Sequence, residues 1–578
     1  MSAEVESILR SFWEWRLRES PEFATQIGVH TFDSCLDVHS LDAYAKRKED
    51  CKEFMKRLNA VSTTDISKTD ALNVKLLLRE IEMFLEGSNH KSYLFPLINL
   101  EGPQLEFFTR LISWMKFETK EDYEKYFSRL NAFPTQASEM IALLEEGIRT
   151  RYVPPQLTVA HVPEQIMKVI NAAFTEDNSV FTPLKKFPET FSVEERASFK
   201  ERGVRLIEEK VKPAFKKIHD FYLHKYIPQT RQSISCSEFP NGTAFYNQAL
   251  KFHIACDMTA QEVHELGQAE VLRIRSRMDE IIKQVGFAGN FKEFLDMLRT
   301  DKRFYYDTKE ELINGYKDLC ENTIKPKLKD YFKEMPKTPF EIAETPADAA
   351  PVAPAAYYMG PSEDGTRPGQ FWVNTYKPDT RPKFEMVSLA LHEAVPGHHL
   401  QTAFAMEQTE QPSFRRYVED RRYYEAPARF ALHTAYMEGW GLYCEYLGEE
   451  MGLYKDPYDL FGRLSTEILR ACRLVVDTGM HALGWSRQQA VDFMVENTAM
   501  SLHNINTEID RYIIWPGQAC AYKVGEIKIK ELRKKAEQKL GEKFDIKDYH
   551  HVFLSAGPMG IDTLEEAVDE YIANSLTQ

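Results

Sequence analysis

LALHEAVPGHHLQ (Leu389–Gln401) puts three histidines and a glutamate within eight residues, directly after the apolar run MVSLAL. A His-Glu pair on an apolar helix opens many zinc sites, with the second histidine one turn further along the same face. Here Pro396 holds that position, and the next histidines are His398 and His399. In an unbroken helix, six positions on means a rotation of about 120°, and seven on means a rise of roughly 10 Å. Neither residue would reach a metal held by His392. Pro396 cannot donate to the carbonyl of His392, however, and Gly397 tolerates backbone angles that other residues resist. The pair predicts a helix break that swings the chain back round the axis. His392 and His398 are therefore the expected ligands. His399 lies behind them or faces substrate, and is the alternative second ligand. Glu393, beside the first ligand, suits a general base.

A catalytic zinc wants a third protein ligand and one open position. APARFALHTAYMEGWGLYCEYLGEEMG (Ala426–Gly452) offers it, with Pro427 placed to begin a helix. Glu438 and Glu445 lie seven apart on nearly the same face, and an acid in so apolar a helix needs a cation or a partner. Glu438 is the expected third ligand, with Gly439 leaving room for the metal. Glu445 is expected to orient a ligating imidazole. Two histidines and one carboxylate favour zinc, one per chain.

Working outward, QFWVNTY (Gln370–Tyr376) is the strongest strand candidate by its aromatic and β-branched content. It follows a Pro- and Ala-rich stretch, Glu334–Gly369, that reads as a long irregular connection. Residues 1 to about 230 read as successive amphipathic helices, as in TDALNVKLLLREIEMFLEG (Thr69–Gly87). Thr259 and Glu262 have capping-box spacing before another long helix. That helix contains HELGQ at His264, a second His-Glu pair, read as a packing histidine because Gln268 stands where a ligand would.

The 578 residues carry 73 Lys and Arg against 88 Asp and Glu, a formal charge of −15. That disfavours nucleic-acid binding, which needs clustered basic residues. No window has the apolar length of a membrane span, and the N-terminus does not resemble a signal peptide. The eight cysteines are scattered without a CxxC pair. They read as reduced thiols and point to the cytoplasm.

Donors for a developing oxyanion are sought in two further segments. In RACRLVVDTGMHALG, Arg473, Asp477 and His481 recur at four-residue steps on one helix face. Asp477 could fix the tautomer of His481 or hold it protonated. In EIDRYIIWPGQACAYKVGE, Pro516 suits a helix start. Gln518 and Tyr522 are four apart, Tyr512 and Tyr522 are both phenol candidates, and Arg511 could take a peptide carboxylate.

With these residues in view, the chain resembles the domain of unknown function 885 family, grouped with the zincin metallopeptidases. The carrying motifs are His392-Glu393-Ala394-Val395-Pro396-Gly397-His398 and Glu438-Gly439-Trp440. SPEFATQIGVHTFD, FPNGTAFYNQAL, TAQEVHELG and RYIIWPGQACAYKVG extend the likeness nearly end to end. The resemblance implies a mainly α, two-lobed helical zincin with a deep cleft and a short sheet beside the active-site helix. It is similar to the oligopeptidases and the carboxypeptidase Taq family. The lobes are expected at residues 1–235 and 236–578. WPGQACAYKVG is similar to a substrate-binding signature of the latter family and favours Tyr522 over Tyr512. QFWVNTY stands where a substrate-pairing strand would lie, so Trp372, Val373 and Asn374 are expected to take a peptide by β-addition. The implied activity is zinc-dependent hydrolysis of short peptides, as a carboxypeptidase or dipeptidase. Two alternatives stand beside it: a metal-dependent hydrolase or lyase of a small amide, and a non-enzymatic peptide-binding protein. A homodimer is left open.

Overall fold

The computed structural model describes residues 2–62, 65–175, 178–346, 350, 353–417 and 432–577. The chain divides into two compact units, one built on Met1–Ala249 and the other on Leu250–Val418 and Leu432–Gln578.

The first unit is helical. The segment around Thr69 forms the helix Lys68–Gly87, whose start is capped by Ser67, with Oγ accepting from the Asp70 N–H. Its apolar stripe, Val74, Leu77, Ile81 and Phe84, is buried, as the period predicts. The longest helix, Lys120–Thr150, begins with a capping box of Thr119 and Asp122. Phe133 on that helix meets Phe107 and Phe215 at centroid distances of 4.3 and 4.6 Å. An aromatic core therefore gathers helices that are distant in sequence.

The second unit holds the HEAVPGHH segment. Its long helix α1 (Ala260–Gln284) starts with the Thr259–Glu262 capping box. A three-stranded sheet follows: β1 (Phe340–Glu344), β2 (Ala356–Met359) and β3 (Gly369–Val373). The strand order is β1-β3-β2. β3 pairs in parallel with β1, Phe340 opposite Gly369, and antiparallel with β2, Ala356 opposite Val373. Two strands thus lie inside the stretch expected to be irregular. Both are short, and Pro339, Pro346 and Pro354 punctuate their surroundings, which hides them from composition.

Helices α2 (Met386–Glu393), α3 (His398–Glu407), α4 (Thr434–Glu450), α5 (Pro457–Ala482), α6 (Leu502–Ile514), α7 (Ala521–Leu540) and α8 (Ile546–Ala556) complete the frame of the site. Pro427, expected to open α4, lies outside the described residues. α4 and α7 cross backbone to backbone: a Cβ on Gly525 would stand 2.1 Å from the Ala435 carbonyl oxygen, and one on Gly439 2.5 Å from Gly525. Only glycine at both positions permits that approach. Gly439 therefore serves helix packing, a role its place in the sequence did not suggest. α1 and α5 pack similarly, with Gly267 against Leu474 and Val475.

Candidate metal centre

The sequence breaks at Pro396-Gly397 and so does the helix. α2 ends at Glu393, Val395–Pro396 is a cis peptide, and α3 starts afresh at His398. A Cβ on Gly397 would lie 1.9 Å from the His392 carbonyl oxygen, so no other residue fits this turn. Trp440, fully buried from α4, donates its Nε1–H to the Pro396 carbonyl at 2.8 Å and stacks on Phe553 at 4.6 Å. The turn is thus tied to the neighbouring helix by a side chain that itself sits in the core.

This turn brings the His398 ring to 4.8 Å from that of His392, nearly perpendicular to it. Glu438 of α4 reaches between them: its Oε2 lies 3.3 Å from His392 Nε2 and 3.4 Å from His398 Nε2. One donor atom from each of His392, His398 and Glu438 falls within 4.8 Å of the others, a spacing that can hold a metal ion. On the far side of the ring, His392 Nδ1–H donates to Glu445 Oε1 at 2.8 Å. Glu445 Oε2 accepts from Thr466 Oγ1 at 2.5 Å, and Arg470 of α5 stands 3.9 Å from Oε1. A Cβ on Gly441 would stand 2.7 Å from the imidazole, so glycine there lets α4 lie flat against His392.

With Nδ1 carrying the proton, the Nε2 lone pair of His392 faces a carboxylate oxygen. A second ring proton or a cation between them relieves that contact, and two imidazole nitrogens with one carboxylate oxygen are a donor set that fits a metal. The local field has the same sign. Burial opposes charge on His392, but Glu438 and Glu445 outweigh it and push the imidazole up to about 10. Burial also opposes charge on Glu438, yet the imidazoles of His398 and His392 hold it well below the usual carboxylate range. For Glu445, burial is offset by Arg470, His392 and Thr466, and its carboxyl is lowered too.

Glu393, half-buried at the end of α2, has no hydrogen-bond partner among the described residues. His399 points elsewhere. Its Nδ1 meets the Tyr358 hydroxyl at 3.0 Å and its Nε2 the Thr338 carbonyl at 3.1 Å. Both nitrogens are engaged at the sheet, and burial lowers the imidazole to about 4. It therefore anchors α3 to the sheet, and the grouped donor atoms are those of His392, His398 and Glu438.

The remaining residues form a second cluster on α5, α6 and the start of α7. The turn after α6 delays the helix start expected at Pro516: Gly517 takes a φ of +82°, and α7 begins at Ala521. Asp477 Oδ1 accepts from the Gly517 N–H at 3.0 Å, so it caps this turn. His481 Nε2 lies 3.0 Å from the Tyr512 carbonyl oxygen, and both residues are buried. Tyr512 donates to Glu508 at 2.6 Å and accepts from Arg473 Nε at 2.9 Å. The Tyr522 hydroxyl accepts from Arg511 Nη2 at 3.2 Å and from Gln518 Nε2 at 3.3 Å. Tyr522 lies one turn before Gly525, which abuts Gly439 beside Glu438.

The expectation for β3 is corrected. As the central strand it is hydrogen-bonded on both sides, so Trp372, Val373 and Asn374 have no open edge for β-addition. Asn374 Nδ2 instead donates to the carbonyls of Ala350, Ala353 and Pro354. Trp372 stacks on Tyr357 of β2, ring planes 8° apart. Among the described residues the outer strands are β1 and β2, and β2 lies against α2. Trp440, Gly441, Thr466 and Arg470 also went unassigned in the sequence. Trp440 stood in plain view in Glu-Gly-Trp; the other three carry no local signal.

A family model described as a bacterial protein of unknown function (DUF885) matches residues 21–568. Among curated proteins none matches. A crystal structure described as "the putative lipoprotein from Colwellia psychrerythraea" superposes with a TM-score of 0.91 at 25% identity, covering 99% of this chain and 100% of that one. A protein from Shewanella oneidensis, described as "a putative lipoprotein of unknown function", shares the fold with a TM-score of 0.69 at 17% identity, covering 98% and 99%. Among the described residues no helix is long and apolar enough to cross a membrane.

Proposed function

The chain belongs to this bacterial family, and from that premise we propose that it is a zinc-dependent peptidase of the zincin type, acting on short peptides. The observation that carries the reading is the His392–His398–Glu438 donor set with an unengaged Glu393 next to it in sequence. His392, His398 and Glu438 would hold the zinc, which supplies Lewis acidity toward the scissile carbonyl and toward water. Glu445 takes the Nδ1–H of His392, which leaves Nε2 as the nitrogen that would face the zinc. The Glu393 carboxylate accepts a proton from the attacking water and delivers it to the leaving nitrogen.

Tyr522 is the oxyanion donor in this scheme. A hydroxyl has two acceptor lone pairs and one proton, and Arg511 and Gln518 already occupy the acceptor side. Its own proton is the group left to give, and the adjacent guanidinium makes the phenol a stronger donor. His481, bonded to a backbone carbonyl in the core, orders α5 against α6 and has no part in the chemistry. An extended peptide would add to the β2 edge beside α2. The free thiols support a reducing compartment, the cytoplasm, and fractionation of cells tests this against the lipoprotein description of the Colwellia relative.

The deciding experiment incubates the zinc-loaded protein and Glu393→Gln with a mixed peptide library and reads the products by mass spectrometry. The reading requires cleavage by the parent and none by the variant at equal zinc content. Cleavage that survives in Glu393→Gln, or none by the parent with zinc bound, overturns it.

A further inference from the structure

Arg473 of α5 is 5% exposed, and its guanidinium is only partly satisfied. Nε donates to the Tyr512 hydroxyl at 2.9 Å and Nη2 to Glu508 at 2.9 Å, while Nη1 is buried with no hydrogen-bond partner among the described residues. Arg511, one turn beyond Glu508 on α6, repeats the pattern. Nη2 reaches Tyr522 and Gln518, Nη1 stands 3.5 Å from Glu508, and Nε is buried with no hydrogen-bond partner among the described residues. Buried N–H donors are almost always paired, and an unpaired charged one is costly. Two arginines sharing one carboxylate also leave an unbalanced positive charge, and each guanidinium lies within electrostatic reach of the other. The Tyr522 ring lies beneath Arg473, 4.6 Å from ring centre to guanidinium carbon. The phenol assigned to the oxyanion therefore sits at the border of this cluster. Arg511, with its side chain 24% exposed, opens it to solvent.

We infer that Arg473 and Arg511 form a built site for a carboxylate, and that its occupant is the free C-terminal carboxylate of the peptide being cut. The inference rests on the peptidase reading and sets its polarity: a carboxypeptidase. A carboxylate offers two oxygens and about four acceptor positions, and planar guanidinium groups meet them in pairs. The partnerless Nη1 of Arg473 and Nε of Arg511 are the donors it would take up, and its charge would balance the arginine left over by Glu508. A neutral C-terminal amide satisfies neither requirement. Asp477, on the same face of α5, is turned to the Gly517 N–H.

The test measures binding by calorimetry to the full-length, zinc-loaded Glu393→Gln protein, which leaves the ligand intact. The ligands are tetra-alanine and its C-terminal amide. The acid is expected to bind roughly 10- to 150-fold more tightly, the range of one net charge-assisted hydrogen bond. Arg473→Gln, added to Glu393→Gln, should bring the two affinities together, and Arg511→Gln at the solvent edge should narrow the gap. Equal binding of acid and amide before any arginine is changed overturns the site and needs no variant that must fold. A full preference retained in a folded Arg473→Gln protein also overturns it. If the parent protein cuts no peptide while Glu393→Gln prefers the acid, the peptidase reading fails and the carboxylate site stands. If the parent cuts acid and amide alike, hydrolysis stands and the carboxylate site fails.

Discussion

His264-Glu265 on α1 and His392-Glu393 on α2 begin with the same dipeptide on a buried helix face, yet their surroundings diverge at the second ring nitrogen. At His264, Nδ1 lies 2.9 Å from Thr478 Oγ1, whose own proton goes to the Leu474 carbonyl at 2.6 Å. Nδ1 therefore carries the hydrogen, and Nε2 accepts from Gln268 Nε2 one turn on, at 3.2 Å. Both nitrogens are satisfied by neutral groups, and Glu265 turns to solvent, where Gln261 meets it. At His392, Nδ1 gives its hydrogen to Glu445 and Nε2 faces the carboxylate of Glu438. An unbroken helix brings an amide to the first histidine; a broken helix and a second helix bring an imidazole and an acid. The dipeptide alone decides nothing, and the electrostatic sign of what meets Nε2 decides the site.

The largest effect that can break this contrast is on turnover. Glu393→Gln should lower peptide hydrolysis by about 10²- to 10⁴-fold, the usual worth of a general base, with zinc content by plasma mass spectrometry unchanged. Glu265→Gln should leave turnover within experimental scatter. Comparable losses in both would mean that the two pairs are not functionally distinct. Metal content comes next. His398→Ala should lose zinc on dialysis, whereas His264→Ala and His399→Ala should keep it. Retention of zinc by His398→Ala would remove the second ligand and with it the purpose of the Pro396-Gly397 break.

Much of this contrast was legible in the sequence. Pro396 and Gly397 announced the break because one lacks a donor and the other lacks a Cβ, both local properties. Gln268 at the fourth position marked the His264 pair for the same reason. The capping boxes and the apolar stripes of Lys68–Gly87 and α1 were equally local. Strand order was not: whether β3 is central or an edge depends on β1 and β2, which lie in Pro-rich surroundings and pair across some 10 to 30 residues. The grip of Trp440 on Pro396 spans 44 residues, and the roles of Thr466 and Arg470 are set by helix packing. The packing role of Gly439 was not legible because its partner, Gly525, lies on another helix.

A smaller effect sharpens the role of the far carboxylate. Glu445 meets His392 at Nδ1, the nitrogen turned away from Glu438, so Glu445→Gln should weaken zinc affinity by about 10- to 100-fold, less than Glu438→Gln, which would remove a proposed ligand. Competition with a zinc chelator of known affinity measures both. Equal losses would mean that the two acids share the metal and that Glu445 does more than fix a tautomer.

The smallest effect probes the His264 side of the comparison through pH. Burial lowers the His264 imidazole from its ordinary 6.5, the Val475 carbonyl and Glu265 opposing only in part. The unfolded chain therefore binds a proton below pH 6.5 that the folded chain refuses. This contribution to stability is present above pH 6.5 and is lost as pH falls from there toward the lowered folded value. His264→Gln cannot take up that proton. Urea midpoints at pH 7.5 and pH 5 should therefore drop further for the parent than for the variant, measured with zinc removed from both so that the metal does not enter. Here the direction carries the argument: protonation would turn an Nε2–H toward the Gln268 amide donor, while the Nδ1–H is already given to Thr478. Parallel pH dependence in the two proteins would mean that the folded state accommodates the imidazolium, and the two His-Glu pairs would then share the one property that separates them here.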